Sequence, residues 1–218
     1  MNQLRIYGIA ASRAFRPLWT ACELAIDFEH IPQGYRHGAT RNPAFLEVNP
    51  NGHIPVLTEI RGGTLITVWE SMACSLYLAD VYGKADGLDL SPASPAEKAQ
   101  ALRWSFWTVT ELEKDTLSIL MHRIAMPEAE RKPEVAETAE KRLMLPLSVL
   151  EQHLIAQQTN DYVYLAGSRF TIADLCVASV VSWARAASPA FWERFPSTQA
   201  WLRDCLARPA HQQARNLP

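Results

Sequence analysis

The feature that most constrains this chain is one change of character near its middle. Tyr82-Gly83-Lys84-Ala85-Asp86-Gly87-Leu88-Asp89-Leu90-Ser91-Pro92-Ala93-Ser94-Pro95 collects two Gly, two Pro and two Ser between periodic segments, the composition of a linker. Before it, short apolar runs alternate with helical patterns. After it, every segment is helical. With 218 residues, there is room for one large domain or two small ones, and the break predicts two: a mixed α/β domain over 1–82 and an all-α domain over 96–218, joined by a linker at 83–95.

The first half reads as a small sheet with helices packed on it. Leu4 to Ile9 is a short strand that ends in turn-prone residues. Phe15, Leu18, Trp19, Cys22 and Ile26 form one face of a helix, and Pro17 fits only if that helix starts just before it. Glu29 to Pro32 suits a second strand. Ile54–Ile60, Arg61-Gly62-Gly63 and Thr64–Val68 read as a hairpin. A further helix starts near Glu70 and runs to Tyr82. In the second half, Ser94-Pro95-Ala96-Glu97 opens a helix with a cap, a proline and an acid in the right order. Its apolar spacing continues for about 28 residues by the three-to-four repeat. A helix over Pro133–Gln158 should kink at Pro146. Thr171 and Asp174 form a near capping box, with Phe170 and Leu175 placed as a hydrophobic staple. Pro196 and Pro209 bracket one last helix.

Composition excludes several function classes. The chain is 48% hydrophobic and 20% charged, with 21 Lys+Arg against 23 Asp+Glu. No basic run exceeds two residues, so nucleic acid is not an expected partner. Leu175–Ala184, the most apolar stretch, is far short of the ~20 residues that cross a bilayer, and no signal peptide is expected at the N-terminus. Cys22, Cys74, Cys176 and Cys205 lie dozens of residues apart, which argues against a disulfide scaffold and a structural metal. A protein of a reducing, cytoplasmic compartment is expected.

Four motifs, in order, give the chain a likeness. Ser12-Arg13-Ala14-Phe15-Arg16-Pro17-Leu18-Trp19 begins the first helix. Asn49-Pro50-Asn51-Gly52-His53-Ile54-Pro55-Val56-Leu57 forms a loop before a strand. Glu70-Ser71 stands at a strand-to-helix turn, and Phe170–Asp174 begins a later helix. Together they resemble the glutathione transferase family over nearly the whole chain. The resemblance implies a thioredoxin-like N-terminal domain that binds glutathione through His53, Ile54, Pro55, Glu70 and Ser71, with Ile54-Pro55 as the family's cis proline. It also implies glutathione as co-substrate with no metal, a detoxification role and a homodimer.

The chemistry of these residues fits that implication. A helix start offers free amides and a favourable dipole to an anion, so Glu70-Ser71 suits the γ-glutamyl end of the ligand, with the Ser71 hydroxyl as a further donor. The pair also suits a plain helix start. Glutathione chemistry needs a thiolate, and a thiol with a pKa of ~8.5 is mostly protonated at neutral pH. Ser12, in the turn before the first helix, can donate to the sulfur, or can simply cap the helix. Tyr7, at the strand end, is the runner-up as donor and otherwise a packing residue. The family's catalytic serine usually lies a residue or so earlier, where Ala10 and Ala11 stand here. Arg13 can reach the glycyl carboxylate or the thiolate, or remain solvated. The absence of cysteine from residues 10–12 argues against dithiol exchange, and Cys22 and Cys74 read as small core residues. Trp104, Trp107, Thr108 and His122 on the long helix are candidates for the electrophile pocket, though aromatics at helical spacing also build cores, and His122-Arg123 also suits a helix C-terminus.

The expected function is conjugation of the glutathione thiolate to a small hydrophobic electrophile. Two alternatives stand beside it: a glutathione-dependent isomerase, whose Ser-Ser-Cys motif is missing here, and a non-catalytic scaffold of the same fold.

Overall fold

A computed structural model describes residues 3–83 and 90–218. Residues 84–89, half of the expected linker, lie outside the described residues. The chain forms two compact units, Met1–Ala93 with Arg208–Pro218, and Ser94–Ala207.

The first unit is built on a four-stranded sheet: β1 (Arg5–Tyr7), β2 (Glu29–Ile31), β3 (Val56–Arg61) and β4 (Thr64–Trp69), in spatial order β2-β1-β3-β4. β1 and β2 run parallel, which requires a crossover; α1 (Phe15–Glu23) supplies it. Pro17 falls at the third residue of α1, where no intrahelical N–H partner is lost. β3 lies antiparallel to both β1 and β4, so the hairpin forms as expected around Gly62 and Gly63, both with positive φ. Ile6 faces Leu57 across the β1–β3 ladder, and both are fully buried. The hairpin is followed by α3 (Ser71–Tyr82). A short α2 (Pro43–Val48), capped by Asn42 accepting from the Phe45 N–H, lies between β2 and β3.

At the far end of the sheet unit, the buried carboxylate of Glu59 accepts hydrogen bonds from Arg61 Nε at 2.8 Å and from the hydroxyls of Tyr77 and Tyr82. Burial pushes this carboxyl up, but the three donors outweigh it and hold its pKa below the ordinary 4.5. A lowered carboxylate pKa adds stability above the unfolded value and loses it as pH falls through the folded one. Stability should therefore decline as pH drops below about 4.5, and Glu59→Gln should flatten that decline in urea unfolding followed against pH. An identical acid limb in the two proteins would exclude this network as its source.

The second unit is all helical. The long helix expected from Ser94 is present, but not as one regular cylinder. It consists of α4 (Pro95–Trp107), a π-helical turn over Thr108–Leu112, α5 (Glu113–Leu120) and a second π turn over Met121–Ala125. Each π turn resets the helical register. α6 (Pro133–Gln158) runs as one helix through Pro146. α7 (Ile172–Val181) is buried at all ten positions, the pattern of a core helix, and its start carries the expected capping box. A one-turn α8 (Pro189–Trp192), not anticipated, precedes α9 (Pro196–Leu206).

The ending of the chain corrects the sequence reading. Pro209 does not close the last helix; it occupies the first position of another, α10 (Pro209–Arg215). Residues 208–218, expected in the helical half, belong to the sheet unit. The physical reason is a contact no periodicity reveals: His211 is buried against the rings of Phe15 and Trp19 in α1, with centroid distances of 5.2 and 4.8 Å.

No helix among the described residues is long and apolar enough to cross a membrane, and none of them form a His/Cys/Asp/Glu group suited to a metal ion.

Candidate functional site

The loop between β1 and α1 carries the candidate thiol-activating groups. Gly8, at its start, has φ +133°, and a Cβ added there would lie 2.5 Å from the Cβ of Ala14 and 3.3 Å from that of Ile54. Only glycine fits, because the backbone must pass between the start of α1 and the Ile54-Pro55 segment. That passage brings two of the sequence motifs together, the Ser12–Trp19 segment and the Asn49–Leu57 loop. Ser12 is half-buried; its Oγ donates to the Ile9 carbonyl at 2.7 Å and accepts from the Ala14 N–H at 3.1 Å. The hydroxyl thus serves the loop in the manner of a cap. Its single proton rests on a neutral carbonyl, from which a charged acceptor can draw it.

Tyr7 ends β1 with its ring edge-on to Phe45 at 6.4 Å. Its neighbour Arg5 is engaged by Glu29 through Nε at 2.7 Å, and that carboxylate raises the guanidinium pKa. Arg13 is exposed in the turn before α1.

The Ile54-Pro55 bond is cis, as the motif implied. His53 is exposed, with its carbonyl held by Asn49 Nδ2 at 2.8 Å. Among the described residues, none hydrogen-bonds to the amide or carbonyl of Ile54, so this half-buried peptide edge is open to an extended ligand.

The start of α3 is the most distinctive geometry. Glu70 has φ 72° and ψ 119°, a region costing a non-glycine residue about 1–3 kcal/mol and found mainly where function requires it. Nothing in Trp69-Glu70-Ser71 announces this turn. It leaves the Glu70 side chain exposed, while its carbonyl opens the helix by accepting from Cys74 N at 2.9 Å. Ser71 is 5% exposed, at the first helical position. Its Oγ accepts from Arg16 Nη1 at 2.8 Å, leaving the hydroxyl proton available for another acceptor. Arg16, 2% exposed, is the functional candidate that sequence reading passed over. A lone arginine among the apolar residues of α1 was the available signal, but its partner lies 55 residues away. Helix amides, the Ser71 hydroxyl and a buried guanidinium converge here, and all three favour an anion.

In the second unit, Trp104 and Trp107 meet edge to face at 5.0 Å, and Trp104 also contacts the ring of His153 at 4.9 Å. Trp107 is half-buried, whereas Trp104 and Thr108 are 4% and 0% exposed. Among the described residues, the buried Trp104 Nε1 and Thr108 Oγ1 find no hydrogen-bond partner, an arrangement that water or a ligand normally relieves. His122 is not brought to this group. Fourteen residues beyond Thr108, it lies about 20 Å along the helix, and its Nδ1 accepts the Lys132 N–H at 3.2 Å. It serves the approach to α6.

The four cysteines are thiols, and none forms a disulfide among the described residues. Burial pushes the Cys22 thiol up to about 11 and that of Cys74 to about 12, so both are protonated near neutrality and poor nucleophiles.

Comparison with known proteins agrees with the fold. Residues 12–81 match the model of the glutathione S-transferase N-terminal domain, and residues 114–209 that of the C-terminal domain. The chain is 30% identical to glutathione S-transferase 3 of Zea mays over 220 residues, covering 97% of this chain and 93% of the relative. It is 27% identical to the glutathione S-transferase GstB of Escherichia coli K12, covering 92% and 91%. Among solved structures, the theta class glutathione S-transferase of Xanthomonas axonopodis pv. citri, with glutathione bound, is similar at TM-score 0.80 and 29% identity, covering 100% of this chain and 99% of that one.

Proposed function

The chain belongs to the glutathione S-transferase family, and from that premise we propose that it binds glutathione and transfers the thiolate to a small hydrophobic electrophile. The observation that carries this reading is the start of α3, where the Ser71 hydroxyl, the helix amides and Arg16 form a receptor for a carboxylate. The γ-glutamyl carboxylate is placed there, with its α-amino group at the exposed Glu70. The cysteinyl residue lies along the open peptide edge of Ile54, beside His53 and Pro55. Its sulfur then approaches the loop of Ser12, which converges on Ile54 through Gly8.

In the reaction, the thiol gives its proton to solvent, and the sulfur lone pair forms the new bond to carbon while a leaving group departs or a double bond is saturated. Ser12 donates to the sulfur and stabilises the anion; it is not the base. Tyr7 stays the second candidate for this donor, and Arg13 an auxiliary cation. The electrophile is assigned to the exposed side of Trp107, with Trp104 and Thr108 supplying buried polar atoms behind it; His122 takes no part. Binding without transfer is the second reading, favoured by the Ser12 proton resting on Ile9.

Loss of the Ser71 hydroxyl removes one hydrogen bond to a charged group, so Ser71→Ala should weaken glutathione binding by ~1–3 kcal/mol. Calorimetry measures this directly, and unchanged affinity would take Ser71 out of the site. Turnover of a model aromatic electrophile by the parent protein separates transfer from mere binding.

We also propose a homodimer. Leu65 and Trp69 are exposed on the edge strand β4, and Leu102 and Phe106 stand one turn apart on the exposed face of α4. Such surfaces are the usual material of two-fold interfaces. Light scattering should return twice the 24.5 kDa chain mass; a single chain mass at micromolar concentration would exclude it.

A further inference from the structure

The loop that carries Ser12 is held from both sides. On one side, the Gly8 N–H donates to Ile31 O at 2.9 Å, and His30 Nε2 donates to Gly8 O at 2.8 Å. On the other, the Ala10 N–H donates to Pro218 O at 3.0 Å. The second contact has a particular consequence. The Ala10 N–H and the Ile9 C=O belong to one planar peptide unit, and the Ile9 carbonyl is the group that holds the Ser12 hydroxyl at 2.7 Å. Pro218 therefore grips one end of a rigid plate whose other end sets the position of Ser12 Oγ.

Pro218 is itself held in place. Arg208 makes a bidentate ion pair with Glu23 of α1, at 2.7 and 2.8 Å, and Trp19 Nε1 donates to the same carboxylate at 3.0 Å. Side-chain entropy usually erodes an ion pair, but a bidentate guanidinium pair has the least to lose. Three residues on, His211 is buried between Phe15 and Trp19. α10 is thus fastened along α1, and the chain beyond it, with Leu217 N–H on Ala214 O at 3.3 Å, turns back to the loop before α1.

We propose that residues 208–218 form a positioning strap for the reaction: through the Pro218–Ala10 hydrogen bond they fix the Ile9–Ala10 peptide, and through it the Ser12 hydroxyl at the glutathione sulfur. This rests on the reading of Ser12 as the thiolate donor. The proposal gives the strap no contact with either substrate, so its expected effect is on the alignment of a donor and not on affinity. Misplacement of a reacting group by about 1 Å is enough to cost a large factor in rate.

The test is the titration of the bound thiol, followed by thiolate absorbance, in four proteins: the parent, Ser12→Ala, a variant ending at Arg215, and the two changes combined. Arg208→Gln serves as a second strap variant that keeps every residue of α10 and Pro218. The expected result is a raised thiol pKa in Ser12→Ala, a smaller rise in either strap variant, and no further rise when truncation is added to Ser12→Ala. Glutathione KM should stay within about twofold, while kcat at mildly acid pH falls at least about threefold and recovers in alkali, where the thiol ionises without help. If Ser12→Ala shifts the titration and both folded strap variants leave it unmoved, the strap proposal is overturned and the Ser12 assignment stands. If the strap and Ser12 shifts simply add, the strap acts elsewhere than through Ser12, and the proposal falls. If Ser12→Ala leaves the titration unmoved, the Ser12 reading fails and takes the strap with it.

Discussion

Ser12→Ala should lower turnover about tenfold at neutral pH, with little loss of glutathione affinity. The magnitude follows from an exchange of hydrogen bonds. Donation to a thiolate contributes about 1.5–3 kcal/mol, and the neutral bond to the Ile9 carbonyl that must be given up is worth about 1 kcal/mol. The balance, near 1.4 kcal/mol, corresponds to about one pKa unit. The sign is definite: a donor favours the anion, so removing it raises the thiol pKa and the rate deficit shrinks as pH rises. Affinity is expected to be spared, because the proposed site gives the rest of the ligand to Ile54, Glu70 and Ser71. A shift produced by Tyr7→Phe and not by Ser12→Ala would transfer the role to the tyrosine. The geometry favours Ser12, since the Tyr7 ring packs edge-on to Phe45.

The largest stability effect is expected at Asp174. This carboxylate is completely buried and accepts from Leu165 N–H at 2.8 Å, Thr171 N–H at 2.9 Å, Thr171 Oγ1 at 3.1 Å and Trp201 Nε1 at 3.0 Å. It joins the start of α7, the approach to it and α9 in one group. Asp174→Ala strands four donors, each costing about 1–3 kcal/mol when left unmade. Water entering the space recovers part of that, and the net loss should be ~3–5 kcal/mol, with Tm lower by about 10 °C. Asp174→Asn keeps one acceptor oxygen and should cost roughly half as much. Differential scanning calorimetry decides: an Ala variant within 1 °C of the parent would show that the carboxylate's desolvation had cancelled its hydrogen bonds.

Much of this molecule was written locally. Alternation marked β3 and β4, caps and prolines marked α4, α6 and α9, and Thr171 with Asp174 marked the start of α7. Those signals act within a few residues, so they survive in one dimension. The break near residue 90 separated mixed from helical structure for the same reason, since composition and periodicity are properties of short windows. The order of the four motifs carried the likeness to the family that the comparisons bear out.

What the tertiary structure alone decided is long-range. The approach of Arg16 to Ser71 spans 55 residues and that of Arg208 to Glu23 spans 185, and no periodicity encodes such a partner. The strained turn at Glu70 is imposed by the closing of β4 onto α3, because a non-glycine residue does not choose φ 72° for itself. The π turns after Trp107 and Leu120 set which residues of the long helix are buried, and so placed Thr108 inside and left His122 to the approach to α6. The return of residues 208–218 to the sheet unit depended on a buried histidine finding two rings far away in sequence. A chain specifies its elements through neighbours along the backbone, but it positions a hydroxyl, a guanidinium or a strap only once folding has brought distant side chains within hydrogen-bond reach.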